Sequence, residues 1–171
     1  MNKRVVLCAA VGLLSLVGRP APAAAQVRFA PTLSWGNDAD IAVGGRLLVN
    51  LGRLISDEGA RGRLDLVVPV EWYFDCSDCT YIEVTPGLIL PLTIRDVGPY
   101  LGAGLNIARI SLDAEGRDAS DVEVGLGLSG GILFPVGQFS GFAEARATLG
   151  GAEQTVVTVG LQLGGTRNRN R

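Results

Sequence analysis

Between residues 27 and 163 the chain alternates apolar with polar side chains along eight successive segments, and almost every charge within them has the same parity. A period of two marks an extended strand with unlike faces. The segments are 27–35, 41–51, 63–74, 81–92, 100–112, 122–134, 139–149 and 155–163. Glycine, proline and acidic turns such as GNDAD, TIRDVGP and PVGQ separate them, and no stretch has a helical period. The expected fold is all-β: eight antiparallel strands, connected up and down and closed into a barrel.

Sorting each segment by face decides what kind of barrel it is. One face carries Val27, Leu33, Leu47, Leu66, Val70, Leu88, Leu105, Leu126 and Val159; the other carries Arg28, Arg46, Asp65, Glu71, Glu83, Glu123, Glu144 and Arg146. In a soluble barrel the apolar face fills the interior and the charges stay in water. Here the charged face holds both signs among many glycines, which suits a narrow lumen where Arg and Glu reach towards each other. The apolar face, continuous over eight strands, far exceeds the few hundred Å2 that a soluble monomer exposes. In FAEARATL, residues 142–149, Glu144 and Arg146 are therefore expected inside, and Ala143, Ala145 and Ala147 against lipid. The reading is a transmembrane β-barrel; the alternative is a secreted lipocalin-like barrel carrying an apolar ligand.

Aromatic residues fall near segment ends. If odd strands run outward from the periplasm, Trp35, Trp72, Phe74 and Tyr81 form an outer girdle and Phe29, Tyr100, Phe134 and Phe139 an inner one. One segment breaks the alternation: Arg109 falls on the lipid side, while Ile110 and Leu112 turn inward. Either a β-bulge near Ala108 restores the pattern, or the strand leaves the membrane early and Arg109 snorkels.

The first residues have a different character. MNKR is basic, residues 5–17 are apolar, and APAAAQ offers an A-x-A site, so residues 1–25 read as a cleaved signal peptide. Removing Lys3, Arg4 and Arg19 from 15 basic residues leaves 12 against 17 acidic, a net charge near −5. That balance does not suit nucleic acid. Residues 26–164 form the barrel domain, and 165–171 a basic, solvated tail.

The signal peptide, the eight segments and VGPYLGAGLNIA at residues 97–108 together resemble the small outer-membrane β-barrel family, the OmpA/OmpX-like and opacity-type porin-like barrels. The resemblance implies a bacterial outer-membrane protein embedded in lipid as a monomer. Family members often end in an aromatic residue, whereas this chain ends VGLQLGGTRNRNR.

Little of the sequence suggests chemistry. GLGLSG at residues 125–130 matches a dinucleotide fingerprint in letters, but more strand follows it where a helix is required. The chain has no histidine, which removes Ser-His-Asp arrangements. Carboxylates interleaved with arginines read as a salt-bridge ladder rather than an acid and base pair. Cys76 and Cys79 are the two cysteines beyond the leader; a zinc site lacks ligands there, and a disulfide closing an outer turn is expected. No cofactor, metal or enzymatic activity is expected. The role is structural or surface-interacting, with a narrow ion-conducting barrel as a further alternative.

Overall fold

The computed structural model describes residues 27–37, 41–56, 61–74, 79–93, 98–114, 117–151 and 153–163. The leader, the cysteine turn and the basic tail lie outside the described residues. The strands are β1 (Val27–Gly36), β2 (Ile41–Ser56), β3 (Arg61–Tyr73), β4 (Cys79–Val84), β5 (Gly87–Thr93), β6 (Gly98–Ala114), β7 (Arg117–Val136), β8 (Phe139–Leu149) and β9 (Thr155–Gln162). Each pairs antiparallel with its neighbours, and β1 pairs with both β2 and β9, which closes the sheet. β4 and β5 form one stave. They pair in a single register with β3 (Trp72↔Ile82, Leu66↔Leu88) and with β6 (Val84↔Ile107, Gly87↔Gly104). The ladder breaks between them at Pro86, which has no N–H to donate. The result is a closed antiparallel barrel of eight staves.

The described chain ends meet at one end of this barrel, where Phe29 bridges Leu163. The same end holds the tight β7–β8 turn, where Gly137 adopts φ 58°. A two-residue hairpin needs such a left-handed residue to match the twist of its strands. The opposite, far end carries the extension of β6 and β7, which stay paired out to Ala114↔Arg117. Near the terminal end β2 shifts register against β3 twice, between Asn50 and Gly52 and between Arg53 and Ile55.

Alternation of burial follows the strand period. In β1, Arg28, Ala30, Thr32 and Ser34 are buried while Val27, Phe29, Leu33 and Trp35 are exposed. Leu101 is 72% exposed, whereas Arg46 is 2% exposed and Glu83 1%. The barrel is thus polar inside and apolar outside. Two small apolar clusters break up the polar interior. Ala30, Leu48, Val67, Ile89, Tyr100 and Phe142 form one, and Ala42, Tyr73, Tyr81 and Ala108 the other, with Ile110 against it.

These clusters correct the girdle expectation at two positions. Trp35, Trp72, Phe74, Phe29 and Phe139 are exposed on the outside, and Phe134 is half-buried. Tyr81 and Tyr100 instead point into the lumen, buried to 8% and 2% exposure. Tyr81 shares the parity of Glu83, and Tyr100 lies opposite Gly131, whose bare Cα leaves room for the ring. A β-carbon on Gly131 would stand 2.5 Å from the Tyr100 ring. Of the two alternatives for the Ala108 region, the bulge is absent: β6 keeps one register against β4 and β7 through it. Arg109 is simply exposed on the outer face, and Ile110 packs inside.

Candidate functional site: the charged lumen

Three tiers of ionic groups fill the barrel. Nearest the terminal end, Arg28 of β1 pairs with Asp65 of β3 and donates to Gln162 of β9 at 2.9 Å. Asp65 is fully buried, and it also accepts from Asn50 and from Arg63, each at 2.9 Å. In the middle, Arg46 of β2 reaches Glu144 of β8 with two hydrogen bonds, 3.2 and 2.9 Å. The Tyr100 hydroxyl donates to the same carboxylate at 2.9 Å. The guanidinium of Arg46 also lies 4.0 Å from the centroid of Phe142, as a cation over an aromatic face.

Towards the far end Arg146 of β8 bridges two carboxylates, Glu71 of β3 and Glu83 of β4, at 2.6 Å from each. Glu71 also accepts from Ser34 and, at 3.3 Å, from Thr158. Glu83 accepts from Tyr73 at 3.2 Å and Thr85 at 3.3 Å, and from the side-chain amides of Asn106 and Gln154.

The pairing has an energetic reason. A lone charge removed from water costs several kcal/mol, so a buried one persists only with a counter-charge and hydrogen bonds to its remaining lone pairs. Four arginines (Arg28, Arg46, Arg63, Arg146) face four carboxylates (Asp65, Glu71, Glu83, Glu144) in these tiers. The charges cancel overall, but the terminal tier has an extra arginine and the far tier an extra carboxylate. Neutral donors gather on that extra carboxylate, Glu83. Between the middle and far tiers a cavity of about 20 Å3 is lined by Arg46, Arg146, Thr85 and Ser129. That is room for about one water molecule.

Seven of the eight residues read as a lumen network meet here. Glu123 does not: it is half-exposed and makes no ion pair or side-chain hydrogen bond among the described residues. It lies on the inward parity in the first half of β7, in the same cross-strand row as Glu83 through Ala108. Tyr100, Phe142, Thr85 and Gln154 belong to the site although the sequence reading gave them no role there. Phe142 and Tyr100 had a usable signal, an even spacing from Glu144 and Asn106 respectively. Gln154 follows the turn after β8 and had none. The fingerprint-like glycines 125–130 lie in the middle of β7, with strand on both sides.

A closed eight-stave barrel with ionic groups inside and apolar side chains outside defines a class of protein, and solved structures share the barrel fold. No family model and no curated protein matches the sequence. The fold is similar to the N-terminal β-barrel domain of Pseudomonas aeruginosa OprF, with a TM-score of 0.58 at 14% identity over 81% of this chain and 98% of that one. Ail, the attachment invasion locus protein of Yersinia pestis, gives 0.54 at 13% identity, over 81% and 93%. The outer membrane enzyme PagL gives 0.50 at 11% identity, over 79% and 96%. At these identities the likeness is one of fold.

Proposed function

We propose that the chain is an integral outer-membrane β-barrel, exported by its leader, with a structural or surface-interaction role and a lumen closed by its own side chains. The inversion of polarity carries this reading. Ion pairs at Arg28, Arg46 and Arg146 occupy the interior, while Leu33, Leu47, Trp72, Leu101, Leu126 and Val157 cover the outside. Water is a poor solvent for that exterior and hydrocarbon a good one; closure removes the free strand edges that lipid would not satisfy. Eight staves leave an interior only wide enough for side chains, and here those side chains are paired across it. The orientation follows from the family's plan, with the terminal end in the periplasm and the far end at the cell surface.

The lumen groups are committed to one another rather than arranged as nucleophile and base, which favours a non-enzymatic role. Two experiments test the reading. Membranes from expressing cells, washed with alkaline carbonate, should retain the protein until detergent is added; release by carbonate alone would restore the soluble carrier. Purified barrel in a planar bilayer should give no steady single-channel current. A stable conducting level would instead favour the ion-conducting barrel.

A further inference from the structure

At the terminal end a β-bulge decides which way one arginine points. Along β2 the lumen positions run Arg46, Leu48 and Asn50. An unbroken strand would bring Gly52 and Leu54 inside next and turn Arg53 outward. Instead Leu51 has no partner on β3: the pairing passes from Asn50↔Asp65 to Gly52↔Leu64 and Arg53↔Arg63. Gly52, at φ 135°, supplies a backbone conformation that glycine adopts readily. Leu54 is left 62% exposed, and Arg53 shares the face of its partner Arg63, which reaches the buried Asp65.

Residues directly opposite in an antiparallel pair hold their β-carbons about 4.5 to 5.5 Å apart, and like charges there repel. Asp65 does not relieve the repulsion. One of its oxygens accepts from Arg28 and from Nε of Arg63, and the other accepts from Asn50. Arg63, anchored through Nε, keeps both terminal nitrogens of its fork without a partner among the described residues. Arg53 is exposed and makes no ion pair or hydrogen bond among them. The Arg63 side chain is 36% exposed, so its free edge opens to water at the mouth of the lumen.

The neighbouring sequence does not hold enough acid to neutralise the pair. Residues 52–65, 93–98 and 164–171, together with Arg28, carry eight arginines against four carboxylates, although the exported chain as a whole is acidic. At the mouth itself Arg28, Arg53 and Arg63 face Asp65, which leaves two positive charges over. Two guanidinium forks side by side match the oxygens of a phosphate, and a doubly charged one balances the excess.

We infer that Arg53 and Arg63 form a binding site at the terminal mouth of the lumen for a soluble dianionic phosphate group, such as a phosphate monoester. The site requires only the closed barrel; that it opens to the periplasm rests on the membrane reading above. Barrel in uncharged detergent is titrated against glycerol phosphate at about pH 8, where the monoester is doubly charged, and line broadening in phosphorus NMR reads the affinity at constant ionic strength. Saturable binding is expected. Arg53→Gln should weaken it about tenfold through loss of the charge-assisted hydrogen bonds from one guanidinium. Arg109→Gln removes the same charge from the outer surface and should leave the affinity unchanged. Dimethyl phosphate, a monoanion with the diester chemistry of a lipid headgroup, should bind more weakly than the monoester. No saturable binding to wild type, the result if Asp57 and Glu58 of the adjoining connection neutralise the pair, overturns the site. An unchanged affinity in Arg53→Gln, or an equal loss in Arg109→Gln, overturns it too. Dimethyl phosphate binding as tightly as the monoester would assign the arginines to lipid headgroups and overturn the soluble ligand. Since the titration needs no bilayer, each of these failures leaves the membrane reading standing.

Discussion

Arg46 and Glu144 are 98 positions apart in the chain and meet across the lumen through two parallel hydrogen bonds, from β2 to β8. Neither side chain has access to bulk water, at 2% and 5% exposure. Each is therefore the condition for burying the other. Glu144→Leu should lose about 3 to 5 kcal/mol, because Arg46 is left buried without its counter-charge. Adding Arg46→Met should recover most of that loss, since an apolar pair of similar volume is often as stable as the ion pair it replaces. Urea unfolding in lipid vesicles measures both. A double variant no better than the single one would mean that the pair does not act as a unit.

Gly131 gives a second test of how the lumen is packed. Its added β-carbon would stand 2.5 Å from the Tyr100 ring and 2.5 Å from the carbonyl oxygen of Ala143. Gly131→Ala should cost about 1 to 3 kcal/mol by overpacking. The neighbouring Gly130 faces outward, where a β-carbon would meet Leu101 at an ordinary 3.5 Å. Gly130→Ala should be neutral or slightly stabilising, because glycine weakens a strand. Equal losses in the two variants would remove the distinction between the faces.

Parity in the sequence was enough to place most side chains. Arg28, Asp65, Glu71 and Glu144 lie inside, and Leu33, Val70 and Val157 outside, because alternation along a strand is a local property of the backbone. Tyr81 and Tyr100 depart from the girdle expectation because residue type and parity conflict there: an aromatic near a strand end suits a girdle, yet both are buried in the lumen. Their even spacing from Glu83 and Asn106 pointed inward. Arg109 had two explanations from sequence, and only the unbroken pairing with Val122 separates them. The partners within the network were not legible. Whether Arg146 meets Glu71, Glu83 or Glu123 depends on how the closed sheet staggers its strands, which no local pattern encodes.

The cysteine turn joins β3 to β4 at the far end, the cell-surface side in the proposed orientation, where the compartment is oxidising. Cys76 and Cys79 are expected to be joined. Thiol labelling of the exported protein should fail without reductant and succeed after it. Quantitative labelling of the native protein would exclude the disulfide.

The face assignment itself can be tested at a single position. Ala145 is exposed on the outside of β8, between Glu144 and Arg146, which are both buried in the lumen. It lies near the middle of the strand, so an arginine there meets the centre of the hydrocarbon. Ala145→Arg should lose roughly 2 to 4 kcal/mol in lipid vesicles. That loss alone does not discriminate, because an apolar protein interior would reject the same charge. Ala145→Leu does. Projecting into fluid lipid, the larger side chain meets no packed wall, and stability should be unchanged or improved. Projecting into a packed interior, it would cost about 1 to 3 kcal/mol. Urea unfolding of both variants beside the wild type gives the answer: loss in Ala145→Arg alone supports an outer surface solvated by lipid, and loss in both refutes it.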